Sequence, residues 1–170
     1  MIRRFFLDRT ASAATEMALV VPLMVILMFG GFEGGYYMWN EHKVVKAVRD
    51  GARFAGRQQF EDFDCGTGTV TDADTADRIK NVTRTGTIDP NAQPIIAGWT
   101  AAQVSVTVTC GDTDAGGATN TGIFAADPTN GAKRIRVIAN TSYKPLFSTL
   151  GFSTTNLGLR ASSEAVVMGL

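Results

Sequence analysis

The chain has 170 residues, and its 16 basic and 16 acidic side chains cancel to a formal net charge of zero. That balance leaves no basic footprint for nucleic acid. One histidine and two cysteines supply too few ligands for a zinc site. The length fits one folded domain with an appendage, and the apolar residues are unevenly placed along it.

Residues 1–11 are basic, with Arg3, Arg4 and Arg9 outweighing Asp8. Residues 11–32 carry a single charge, Glu16. As helix they would reach about 33 Å, close to the roughly 30 Å of a bilayer's hydrocarbon core. The sequence predicts one transmembrane helix over 12–35. Its basic flank keeps 1–11 cytoplasmic and sends the rest outward. A cleaved secretory signal fits this start in outline, but the run is long for a signal core and no Ala-x-Ala site follows it. Glu16 is the anomaly: a carboxylate in an apolar run is costly unless it finds a partner.

Gly30, Gly31, Gly34 and Gly35 lower helix propensity where the helix leaves the bilayer, so a bend or a close helix contact is expected there. Tyr36, Tyr37 and Trp39 suit the membrane interface. Residues 36–60 form the next segment, with an amphipathic helix over 41–59. Val44, Val45, Val48, Ala52 and Ala55 recur at helical spacing, and Lys43, Lys46, Arg49, Arg53 and Arg57 fill the other faces. The apolar stripe should cover a sheet, with the basic face left to solvent.

Residues 61–170 read as an exported α+β domain. Residues 61–71 look like loop. Thr71 and Asp74 have capping-box spacing ahead of a short helix over 72–84. Three strands follow, at 103–110, 134–143 and 157–168, each alternating apolar and polar residues. One apolar and one polar face per strand implies an antiparallel sheet covered on one side. Residues 111–131 read as a long surface loop, and 145–152 as a more apolar connection. Cys65 and Cys110 lie in the exported part, where an even count favours a disulfide. Closing a loop of about 46 residues is worth roughly 4 kcal/mol. Cys65 follows the amphipathic helix and Cys110 ends a strand, so the bond is expected to pin helix to sheet.

No catalytic set emerges, and His42 reads as a solvated residue. Asp72, Asp74 and Asp77, and Asp112 with Asp114, fit caps and turns better than a calcium loop. The chain is therefore expected to be no enzyme, with no metal, no cofactor and no small-molecule substrate.

The specific signal is N-terminal. Ser12-Ala-Ala-Thr-Glu16, followed by Met-Ala-Leu-Val-Val-Pro22, resembles the start of type IV pilin-like subunits, and more narrowly the TadE/TadG-like family of tight-adherence pilus systems. Glu16 and Pro22 keep that family's spacing. Gly31-Phe-Glu33-Gly resembles its apolar-Glu-aromatic-Gly segment. Ala47-Val-Arg49-Asp-Gly51-Ala52-Arg53 resembles its Ala-Ala-Arg-Glu-Gly-Ala-Arg segment. Family leaders usually end in Gly, where this chain has Ala11. The resemblance implies leader processing between Ala11 and Ser12, and an assembly helix using Glu16, Pro22 and Glu33. It also implies a minor pilin or pseudopilin in the bacterial inner membrane or the pilus. Its partners would be other pilin-like subunits, the assembly machinery and membrane lipid. The alternative is a membrane-anchored exported binding or enzymatic domain unrelated to pili.

Overall fold

The computed structural model describes residues 9–111, 132–148 and 157–169, with side chains from residue 13 onward. Residues 1–8 of the expected 1–11 leader and residues 112–131 of the expected loop, with Asp112 and Asp114, lie outside the described residues. The elements in chain order are α1 (Arg9–Ala55), a 3-10 turn (Phe60–Asp62), β1 (Phe63–Asp64), β2 (Thr69–Val70) and α2 (Ala73–Thr85). After a second 3-10 turn (Ala101–Gln103) come β3 (Val104–Gly111), β4 (Ala132–Ser142) and β5 (Gly158–Val166). The fold is α+β. The chain divides into two compact units: Met1–Met38 with Pro145–Ser153, and Trp39–Lys144 with Thr154–Leu170.

The first unit is built on the apolar part of α1, a helix of 47 residues. An 18-residue window within it has a mean hydropathy of 2.0, and none of that window is buried by the rest of the chain. A helix satisfies its own backbone, which is what lipid demands. Pro22 lies inside it. Its missing N–H frees the carbonyl of Ala18, at a cost of about 3 kcal/mol in an ordinary helix interior. The four glycines do not interrupt α1, and a Cβ on any of them would meet nothing within 4 Å. The close contact expected at these glycines is absent among the described residues.

In the second unit α1 becomes amphipathic, and Val44, Ala47, Val48, Ala52 and Ala55 are buried. Val45, expected in the stripe, is only half-buried, and Ala47 takes that place. The helix ends at Ala55 rather than at 59. Gly56 runs so close to β5 that a Cβ would stand 2.8 Å from the Val166 carbonyl, and its own carbonyl accepts from the Met168 N–H at 2.8 Å. That tie takes the backbone out of the helical path.

Residues 61–71 are more ordered than expected. β1 and β2 pair antiparallel, with Phe63 opposite Val70 and Asp64 opposite Thr69. Asp64 closes the turn by accepting from the Gly66 N–H at 2.8 Å and the Thr67 hydroxyl at 2.7 Å. These bonds hold its carboxyl below the usual range, the Thr67 hydroxyl contributing most. At the start of α2 the N-cap is Asp72, whose side chain accepts from the Thr75 N–H at 2.8 Å. The expected Thr71–Asp74 box is therefore one residue out of register. The Thr71 N–H is committed to the Asp62 carbonyl at 2.7 Å, which leaves the next residue to cap. Gly86, at φ 80°, ends α2 in the left-handed region.

β3, β4 and β5 form an antiparallel sheet with β4 in the centre. The register stacks Val106, Val137 and Ser163 in one row, and Val108, Ile135 and Ala165 in the next. Val104, Val108, Ile135, Val137, Ala139 and Leu159 are buried on the inner face, while α2 contributes the fully buried Ile79 and Thr83. Ser105, Thr107, Arg136, Asn140 and Arg160 stand exposed on the other face. One covered and one open face is the arrangement the alternation implied.

Candidate functional site

Glu16 lies among exposed neighbours. Met17, Leu19, Leu23, Met24, Ile26 and Leu27 are each more than half exposed. Glu16 itself is exposed and is bonded to none of the described residues. Pro22 is likewise exposed. This stretch of α1 thus presents a continuous apolar surface, one carboxylate and one orphaned carbonyl, all uncovered by the chain's own fold. Ala11 and Ser12 fall within the helical backbone, and their side chains lie outside the described residues.

Glu33 is different. It is buried, and its carboxylate accepts from two backbone amides far along the chain. The Leu146 N–H stands 3.2 and 3.1 Å from the two oxygens, and the Phe147 N–H 3.2 Å from Oε2. Phe29, one turn earlier, meets the Phe147 ring edge-on, with centroids 4.9 Å apart. Sequence reasoning placed Glu33 on the helix but missed these partners. The apolar character of 145–152 was the available signal.

The segment from Ala47 to Arg53 has a clear packing logic. Ala47, Val48 and Ala52 are buried. A Cβ on Gly51 would collide with the Thr83 hydroxyl and stand 3.1 Å from the Thr83 Cβ. Gly51 is therefore the crossing point that lets α2 approach α1. Arg49 and Arg53 are exposed on the opposite side, one turn apart. Earlier in α1, the Lys43 ammonium sits 3.4 Å over the Trp39 ring.

Cys65 and Cys110 are bonded, with their Cα atoms 5.6 Å apart. The bond does not pin α1 to the sheet as expected. It ties the β1–β2 turn to the end of β3, beside a 2.9 Å hydrogen bond from the Val108 N–H to the Gly68 carbonyl. The hairpin thus guards part of an exposed sheet edge. A second tie was not foreseen: Lys133, buried in β4, donates to the carbonyls of Phe60 at 3.0 Å and Phe63 at 2.9 Å.

One open cleft of about 510 Å³ lies in the second unit, lined by residues including Gln103, Ser105, Asn140, Thr141, Ser142 and Leu157. None of its lining residues is titratable. Asp72 is occupied as a cap, Asp77 pairs with Lys80 at 3.4 Å, and no group of three potential metal ligands occurs among the described residues.

Residues 11–53 match the family model described as TadE-like protein. No curated protein and no solved structure matches the chain. The matched stretch starts at Ala11, covers the apolar helix with Glu16, Pro22 and Glu33, and ends on Arg53. Over those residues, about a quarter of the chain, it is similar to TadE-like proteins.

Proposed function

We propose that this chain is a structural minor subunit of a tight-adherence-type pilus or its envelope base, packing by α1 among other pilin-like helices. The observation that carries the reading is the uncovered stretch from Met17 to Met28, with Glu16 beside it bonded to none of the described residues, inside the matched segment. A helix that only anchors a domain gains nothing from Glu16. A helix that packs against a neighbour can neutralise it. Removal of a leader before Ser12 would create an α-amine four residues ahead of Glu16. A neighbouring subunit's carboxylate could pair with that amine in a dry bundle. The basic N-terminus supports a single pass with residues 1–11 in the cytoplasm and the second unit outside. The reading assigns no catalysis, cofactor or small-molecule substrate.

The test is incorporation. Glu16→Ala should insert into the membrane as the parent does, because losing a charge makes the span more apolar. It should be depleted from purified filaments or from the assembly base, since the partner amine would be left buried and unpaired. Glu16→Gln separates charge from shape. Parent-like incorporation of both variants would refute the assembly role and favour a plain membrane anchor. Mass spectrometry of the mature N-terminus reports directly whether Ser12 carries the amine.

A further inference from the structure

Phe29 and Glu33 lie four residues apart and so share one face of α1. Against that face sit residues 145–148, within the same compact unit. The Leu146 and Phe147 amides converge on the Glu33 carboxylate, and the Phe147 ring packs edge-on against Phe29. Leu146 remains 51% exposed.

The depth of this contact follows from α1 alone. The run of residues with no charge after Glu16 ends at Phe32, so Glu33 marks the hydrocarbon boundary. Phe29 lies four residues inside it, about 6 Å deeper. A side chain that packs on Phe29 is therefore below the headgroups, at the depth where interfacial elements bury their apolar faces. Irregular backbone survives at that level only if its polar groups are satisfied within the protein. Glu33 meets this condition for two amides, and the amides replace the water that the carboxylate loses. Each side removes a desolvation cost that the other would bear alone.

We propose that residues 145–148 are a second membrane-contacting element. Glu33 latches them to α1, and the exposed side chain of Leu146 lies among the acyl chains at the bilayer boundary. Continuity with the apolar helix identifies lipid as the occupant. The first unit then meets the membrane at two points of the sequence. The inference rests on α1 crossing a membrane and needs neither an orientation nor a pilus.

The experiment places a nitroxide at Leu146→Cys in the full chain with its disulfide intact. The chain is reconstituted in phosphatidylcholine vesicles at no more than one copy per vesicle. Accessibility to oxygen, which concentrates in lipid, is compared with accessibility to a water-soluble nickel chelate. Met28→Cys serves as the lipid reference and Thr107→Cys as the aqueous one. The label at 146 should resemble that at 28, with an oxygen-to-nickel ratio several-fold above that at 107. Adding Glu33→Ala should shift it toward water, and Glu33→Gln, which keeps one acceptor oxygen, should shift it less. A lipid-like label at 28 with a nickel-accessible label at 146 overturns the proposal. A label at 146 shielded from both reagents overturns it too, because protein would then be the cover. An aqueous label at 28 refutes the span itself, and the inference with it.

Discussion

Gly51→Ala sets two well-measured effects against each other. In a helix interior the change ordinarily stabilises, by about 0.5–1 kcal/mol, because glycine loses more backbone freedom on folding. Here the new Cβ would collide with the Thr83 hydroxyl and stand 3.1 Å from the Thr83 Cβ and 3.5 Å from its Cα. Thr83 cannot step aside cheaply. It is fully buried, and its hydroxyl donates to the Ile79 carbonyl at 2.8 Å. Overpacking of this kind costs about 1–3 kcal/mol, so steric loss exceeds the propensity gain and leaves a net loss of about 1–2 kcal/mol. Thermal unfolding of the full chain in detergent, followed through the buried Trp99, should show a midpoint lower by about 5 °C. Thr83→Ala removes the colliding oxygen, so the double variant should recover about 1 kcal/mol relative to additivity. Gly34→Ala, where a Cβ meets nothing within 4 Å, should not lower the midpoint. A midpoint that rises in Gly51→Ala would show that propensity alone governs the site and that α1 and α2 do not cross there.

Lys133→Met keeps the side-chain stem but strips two carbonyls of a charged donor, and should destabilise by about 2–3 kcal/mol, read as a lower denaturation midpoint in urea with an unchanged slope. An unchanged midpoint would mean that water satisfies Phe60 and Phe63 equally well. Asp72 has its carboxyl held below the ordinary range, first by the Thr75 hydroxyl and then by the Thr75 N–H. Its contribution is thus fully present above the usual aspartate value near pH 3.9 and is lost as pH falls through the lower folded value. Acid titration of the parent against Asp72→Asn should show the parent's stability advantage shrinking only below about pH 4. A gap that stays constant down to pH 2 would remove the cap's role.

What the sequence disclosed and what it hid divide along physical lines. The apolar helix was legible because lipid imposes both its length and its composition. The three long strands were legible because one face had to be buried and the other wet. β1 and β2 were not, since two residues are too few to show a period. The cap slipped by one because Thr71 and Asp72 can both fill that role, and only a hydrogen bond to Asp62 distinguishes them. Lys133 was left outside β4 because a lysine reads as solvated until two carbonyls are placed around its ammonium. The disulfide pair was found by counting, but what it joins depended on a hairpin that no pattern announced. Glu33 is the extreme case: its partners are 113 and 114 residues away, and the apolar character of 145–152 hints at burial without pointing to Glu33.

The two acidic residues of the apolar helix show how a fold separates its own needs from those of a partner. Glu33 and Glu16 both sit where a carboxylate is costly. Between β4 and β5, Leu146 and Phe147 satisfy the first, with two amides and an aromatic contact one turn below. Among the described residues nothing answers the second. A carboxylate at such a position carries an insertion cost that an apolar replacement would remove. Two different answers are therefore built into one helix. Glu33 is closed by the chain itself, through the Leu146 and Phe147 amides. Glu16 stays open, and on the proposed reading it is closed by the next subunit. The two substitutions should accordingly fail in different ways. Loss of Glu33 should loosen residues 145–148 in a single isolated chain. Loss of Glu16 should leave that chain unaltered and be felt only when many chains assemble.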